Sequence, residues 1–295
     1  MFAKQFDYKK ASSVSDAVQL LSNNDGAKIL AGGHSLIPMM KLRLAQPPML
    51  IDIGGLEEMR GISVENGNLR IGALTTHAEI ADSHDVKDAA GILWEAAYGI
   101  GDPQVRNRGT IGGNVAHADP ATDLPTVLTV MDAKFVIQGQ KGMLGGGSRV
   151  VSADEFFLGP YETALGENEI LTSIEMPVLA ANQHAEYAKM AHPATSFAVV
   201  GAGVVVTVDD STCTAARVAV GGFVPKPTRG PSVEQALVGK ELTAENIAAA
   251  TDLIENDLGS DAFGDIFASA EYRQAMAAIE LKHAIFHATG LAHHE

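Results

Sequence analysis

The stretch KILAGGHSLIPMMKLRLAQPPMLI, Lys28 to Ile51, carries the pattern that decides the opening of the fold. Lys28 to Ala31 is a short apolar strand running into two glycines, Gly32 and Gly33, and then His34, Ser35 and Leu36. Pro38 suits the first turn of a helix, where a missing N–H costs little. Pro47-Pro48 is read as the stop of that helix, and Met49 to Ile53 as the next strand. Strand, glycine turn, helix and strand form a βαβ-like unit, although the turn is not the GxGxxG of a Rossmann unit.

Upstream, Ser13 and Asp16 have capping-box spacing, and Val14, Ala17, Val18 and Leu21 follow at helical period. Asn23-Asn24-Asp25-Gly26 ends that helix. Downstream, Asn66-Gly67 between Ile62/Val64 and Leu69/Ile71 predicts a hairpin. A helix is expected from about Asp88 to Tyr98, then a long polar, glycine-rich segment, Gly101 to Asp123, which holds a second pair in Thr110-Ile111-Gly112-Gly113-Asn114. Pro125 opens a short helix, Ala133 to Gln138 reads as a strand, and Gln140 to Ser148 as a surface loop. After Pro177 the order changes to strands at Glu186–Met190, Phe197–Val208 and Thr214–Val220. Helices follow at about Val233–Val238, Ala244–Glu255 and Tyr272–His287. Strands followed by helices indicate a separate α+β unit. The expected organisation is 1–176, in subdomains of about 1–55 and 56–176, and 177–295.

Composition excludes several classes. With 46% hydrophobic and 19% charged residues, the chain is globular rather than disordered. No apolar run approaches the ~20 residues of a membrane span. A net charge of −15 argues against general nucleic-acid or anionic-membrane binding, since both need a basic face. The single cysteine, Cys213, leaves no internal disulfide and no cysteine-ligated iron–sulfur cluster or structural zinc from this chain alone. The first residues, MFAKQFDYKK, lack the apolar core of a secretory signal, and a cytoplasmic protein is expected.

The two glycine pairs are the candidate chemistry. Consecutive glycines admit positive φ and close approach of a ligand to the main chain. Exposed N–H groups there can form an anion-binding nest suited to a pyrophosphate, with His34, Ser35, Thr110 and Asn114 as side-chain donors. Charge supports this. Gly26 to Ile51 and Pro103 to His117 contain no acidic residue, where the chain's average would place about five, and they carry Lys28, Lys41, Arg43, Arg106 and Arg108. Asp119 is read as a turn residue before Pro120, and Asp123 as a carboxylate facing a ligand rather than an N-cap before Pro125. There is no HExxH metal pattern and no GxSxG elbow. Cys213 falls in an expected turn, Trp94 on an apolar helix stripe, and Arg217 and Lys226 read as solvated.

At these residues the chain resembles a known family. AGGHSLIPMMKLRL (Ala31–Leu44) and GDPQVRNRGTIGGNVAHADPATDLP (Gly101–Pro125) are similar to the two flavin-binding signatures of the medium subunits of carbon monoxide dehydrogenase-type molybdenum hydroxylases, relatives of the xanthine oxidase FAD domain. Similarity continues in FDYKKASSVSDAVQLL, EYAKMAHPATSFAVVGAGVVV and EYRQAMAAIELKHAI, so it covers nearly the whole chain. The resemblance implies an α+β protein: an N-terminal two-subdomain FAD-binding α/β fold of the PCMH-like type, then a C-terminal α+β domain with a small antiparallel sheet and helices. It implies that Ala31, Gly32, Gly33, His34, Ser35 and Leu36 wrap the FAD pyrophosphate, with Thr110, Ile111, Gly112, Gly113 and Asn114 on its other side. Asp123 would face the nucleotide portion, and Lys189 and Phe197 would lie near the flavin. Phe197 stands where the carbon monoxide enzyme has tyrosine, and MAHPATS is less basic than the family's version. The partners implied are a large molybdopterin-binding subunit and a small subunit with two [2Fe–2S] clusters, in a dimer of heterotrimers. In that setting the chain would collect electrons and pass them to an external acceptor. The competing reading is a self-contained FAD-dependent oxidoreductase of the same fold.

Overall fold

In the computed structural model, which describes residues 2–140 and 147–291, the opening segment forms three parallel strands. The order along the chain is β1 (Asp7–Lys10), α1 (Val14–Asn23), β2 (Lys28–Leu30), α2 (Leu36–Lys41) and β3 (Met49–Asp52), with β3 between β1 and β2. The sequence pattern hides β1 because all four of its residues are exposed; its ladder with β3, Asp7 opposite Met49, holds it in place. In α1 the Ser13 hydroxyl accepts the Asp16 N–H at 3.1 Å, as the spacing predicts. The Asp16 carboxylate instead accepts from the Ser12 N–H and hydroxyl, both at 2.8 Å, so the reciprocal half of the capping box is missing. Pro47 does not stop α2. Arg43 adopts the left-handed conformation (φ 62°), and the Arg43 and Leu44 N–H groups turn back onto the Met40 and Met39 carbonyls.

A second, antiparallel sheet follows. The hairpin of β4 (Ile62–Glu65) and β5 (Asn68–Gly72) turns at Asn66 and Gly67, both with positive φ. With β6 (Lys134–Gln138), β7 (Ser148–Ser152) and β10 (Ile170–Pro177), it makes a sheet of order β4-β5-β10-β6-β7. Where the sequence predicts one helix and a long loop, the chain builds α3 (His77–Ala81), α4 (His84–Ala89), α5 (Gly91–Tyr98), α6 (Pro103–Arg106) and α7 (Ile111–His117). These helices are mostly too short for an apolar period to register. Thr76, Ser83, Asp102 and Thr110 start α3, α4, α6 and α7 by accepting a backbone N–H. Then α8 (Leu124–Val130) is buried along its whole length. Between the sheet strands, α9 (Ala153–Phe156) leads into the small hairpin of β8 (Phe157–Gly159) and β9 (Glu162–Thr163). The surface loop expected over Gln140–Ser148 lies, apart from its ends, outside the described residues.

The last third is a four-stranded antiparallel sheet, β11 (Gln183–Ala191), β12 (Ala198–Asp209), β13 (Thr212–Gly221) and β14 (Thr228–Arg229), in sequence order. α10 (Pro231–Leu237) and α12 (Ala270–Thr289) pack on it, and α11 (Ala244–Thr251) packs against both of those helices. β12 is buried from Ala198 to Val206 because α12 and α8 both pack on it. Its unbroken apolar run follows from burial on both faces. Two expectations are corrected here. Cys213 is a buried residue of β13, not of a turn. Arg217 is not solvated: Nη2 donates to the Thr129 carbonyl at 2.8 Å, and Asp132 and Asp154 each lie 3.4 Å from its guanidinium. The α+β architecture expected from the sequence is the one observed.

Candidate functional site

The site begins where β2 ends. Gly32 lies against the backbone of Arg108 and Gly109, so close that a Cβ would sit 2.0 Å from the Arg108 carbonyl oxygen. Gly33 has φ +76°, a conformation that L side chains rarely adopt. Leaving the strand this way, the chain exposes a run of main chain. None of the N–H groups of Gly32, Gly33, His34, Ser35 and Leu36 donates to an acceptor among the described residues. The His34 Nδ1 folds back to 3.1 Å from the Gly32 carbonyl.

The second glycine pair works differently from the turn that the sequence suggests. Gly112 and Gly113 sit in the first turn of α7, with ordinary negative φ. Each N–H at that end is spent inside the protein: Ile111 on Thr75 O (3.0 Å), Gly112 on Ala73 O (2.9 Å), Gly113 on Thr110 Oγ1 (3.1 Å) and Asn114 on Thr110 O (3.0 Å). No nest remains there. Glycine is required at 112 because a Cβ would lie 2.6 Å from the Ala73 carbonyl oxygen. At 113 an added Cβ would come within 3.9 Å of the Ala31 Cβ, so α7 abuts the first motif. The two motifs therefore meet, one offering amides and the other a close-fitting wall.

Together they line a cavity of about 1020 Å³, at the upper end of the range for ligand pockets. Every candidate named from the sequence lines it except Ile111 and Lys189. Ile111 is fully buried in the core. Lys189 is behind the wall, with its ammonium on Asp123 Oδ2 (2.9 Å), Ser196 O (3.0 Å) and Gly99 O (3.3 Å). Asp123 also accepts the Tyr187 hydroxyl at 2.9 Å. It makes no side-chain cap for α8. Burial pushes its carboxyl above the usual range, and Lys189 and Tyr187 draw it back only in part. Asp119 is the turn residue expected, its Oδ1 accepting the Ala121 N–H at 3.0 Å. Phe197, 47% exposed, closes one edge from the C-terminal sheet.

The positive islands do not become a positive wall. Of the five cations flanking the motifs, only Lys28 lines the cavity among the described residues. Arg106 donates to the Ile100 carbonyl and lies over the Tyr98 ring. What the acid-free windows produce is a carboxylate-free end: the lining carboxylates Asp119, Asp123, Glu162, Glu167 and Glu169 all come from later in the chain. Anion affinity then rests on amide dipoles rather than on side-chain charge. Sequence reasoning missed His77, a buried cavity-lining residue whose only sequence signal is the capping pattern Thr76–Glu79 around it.

Residues 4–179 match the family described as FAD binding domain in molybdopterin dehydrogenase, and residues 185–288 match the CO dehydrogenase flavoprotein C-terminal domain. The chain is 40% identical to the carbon monoxide dehydrogenase medium chain of Hydrogenophaga pseudoflava, over 97% of each chain. It is 36% identical to the nicotine 6-hydroxylase medium subunit of Paenarthrobacter nicotinovorans, over 91% of this chain and 92% of that one. A solved structure of the carbon monoxide dehydrogenase from Hydrogenophaga pseudoflava, lacking the Mo-pyranopterin moiety, superposes with a TM-score of 0.93 over 98% of this chain and 99% of that chain.

Proposed function

This chain belongs to the family of FAD-binding medium subunits of molybdenum hydroxylases, and from that premise we propose that it is an electron relay between a partner's iron–sulfur clusters and an external acceptor. FAD is its cofactor, and when bound it supplies the isoalloxazine ring as the redox centre. The protein's own work is binding and orientation. The run of unspent amides from Gly32 to Leu36 holds the diphosphate, and α7, packed close by Gly112 and Gly113, backs it from the other side. Asn114 contributes a buried Oδ1 with no partner among the described residues, a polar atom in need of a neighbour. Lys189 acts one layer back, holding Asp123 of the cavity lining and fixing the Ser196–Phe197 edge. Residues 1–176 are assigned to cofactor binding, and 177–295 to a domain that completes the cavity through Thr195–Phe197.

The observation that carries the reading is the free amide run facing a cavity large enough for a dinucleotide. The relay role draws support from two facts. Relatives with names as different as carbon monoxide dehydrogenase and nicotine 6-hydroxylase align with nearly the whole of this chain at 40% and 36% identity, so its fold does not track the substrate. A chain with one cysteine, buried in β13, has no ligand set of its own for two clusters. The partners are a large molybdopterin-binding subunit and a small [2Fe–2S] subunit, assembled as a dimer of heterotrimers in the cytoplasm. Purification of the tagged chain from its native host tests this. A yellow complex containing iron and molybdenum is expected. Flavin-loaded chain that oxidises an organic substrate without either metal would overturn the relay and leave FAD binding intact.

A further inference from the structure

We propose that His77 is a further FAD-binding residue, its imidazole Nε2–H donating to a diphosphate oxygen where the two glycine segments meet; the inference rests on the cofactor reading above. His77 is the first residue of α3 and is 3% exposed. Its backbone N–H is bonded to the Gly109 carbonyl at 3.0 Å, and Thr76 pairs with Thr110, so α3 is tied to the approach of α7. Gly109 is the shared neighbour. Its position lies against the His77 ring on one side, with an added Cβ 2.8 Å from Cδ2, while its Cα comes within 3.0 Å of a Cβ built on Gly32. His77 thus reaches the junction of the two segments, on the floor of the cavity that both line.

The ring makes no hydrogen bond among the described residues. Nδ1 is sealed from solvent without a partner among the described residues, Nε2 is not, and the residue lines the cavity, which points to Nε2 as the atom a ligand can reach. This asymmetry selects the tautomer. A sealed N–H without an acceptor forfeits more than a sealed lone pair, so the proton of a neutral ring belongs on Nε2. Burial, helped by the nearby His34, pushes the His77 pKa down to about 4, which keeps the ring uncharged near neutrality. The result is an uncharged donor beside the free amide run, in a cavity that only Lys28 of the cations flanking the motifs lines among the described residues. An anionic oxygen there would give the His77 ring the partner that the described residues do not supply.

The test uses the flavin-depleted full chain, titrated with FAD, ADP and adenosine. His77→Phe removes both ring nitrogens and keeps an aromatic ring; His77→Gln restores an N–H donor. With His77 on the diphosphate, His77→Phe weakens FAD and ADP about tenfold, the scale of a hydrogen bond to a charged group, and leaves adenosine unchanged. His77→Gln recovers part of the loss and shifts the phosphorus resonances of bound FAD. Nitrogen NMR of the wild type finds the proton on Nε2. Equal ADP affinity in His77→Phe overturns the proposal, as does an equal loss for ADP and adenosine. Should the phenylalanine variant fail to fold, unmoved phosphorus resonances in His77→Gln overturn it instead. Wild-type chain that binds neither FAD nor ADP would sink the cofactor reading itself, a result that no His77 variant can produce.

Discussion

A single methyl group at position 32 would sit 2.0 Å from the Arg108 carbonyl oxygen, a backbone atom that can move only by displacing the approach to α7. Gly67 offers the contrast, since it also has a demanding backbone (φ +75°) but nothing within 4 Å of an added Cβ. Gly67→Ala is therefore expected to cost about 1 kcal/mol of left-handed strain and to keep its flavin. Gly32→Ala is expected to cost about 2–3 kcal/mol by overpacking and to lose FAD, because the two segments that form the cavity are pried apart. Urea melts together with flavin content of the purified variants check both. Gly32→Ala with wild-type flavin content would remove the argument that this contact shapes the site. Pairing and acid-free surroundings mark positions 32 and 112 in the sequence, but only the backbone packed against them shows why no side chain fits there.

At the level of elements, the contact of α5 with β11 carries a pH-sensitive pair. Glu186 on β11 has its pKa pushed up to about 7, by burial first and then by the neighbouring Glu95 of α5. Its folded pKa lies above the unfolded value of 4.5, so the unfolded chain holds fewer protons in between. The contribution to stability is full below about 4.5, and it is lost as pH rises through about 7. Glu186→Gln removes that slope. Because Glu186 is only half-buried, the difference is discounted for solvent to about 1–2 kcal/mol. Denaturant melts at about pH 5 and about pH 8.5 are expected to show wild type losing ground to Glu186→Gln at the higher pH. Parallel behaviour of the two proteins would show that the pair is too well hydrated to matter. Among elements, those legible in the sequence carry an apolar run, an apolar period or a turn signal: α1, the β4–β5 hairpin, β12 and the helices after Pro231. The run α3–α7 was not, because capping side chains and tertiary packing define it more than periodicity.

For the whole molecule, Asp123 before α8 and Lys189 on β11 form a buried ion pair joining the cofactor-binding part to the C-terminal sheet. Lys189→Met leaves a buried carboxyl with only Tyr187, and it is expected to cost about 3–5 kcal/mol. It should also weaken FAD retention, because Lys189 no longer anchors the Ser196 carbonyl beside Phe197. Adding Asp123→Leu to Lys189→Met should recover much of the stability, since an apolar pair avoids the stranded charge. It should not recover the flavin. Thermal melts and flavin release rates across the four proteins measure this cycle; additive losses of stability would mean that the pair is not coupled.

Local spacing by itself determined the βαβ-like start, the hairpin at Asn66-Gly67, the strands-then-helices order of the last third and the two segments that line the cavity. Turns, caps and apolar periods are short-range properties, written within a few residues. The tertiary structure alone decided that the amides of Gly32–Leu36 stay free while those of Ile111–Asn114 are spent. It decided too that the flanking arginines do not line the cavity, that Lys189 anchors a wall it does not line, and that His77 reaches the junction. Each of these depends on which distant carbonyl, carboxylate or ring comes within about 3 Å of a group, and no local pattern encodes that distance.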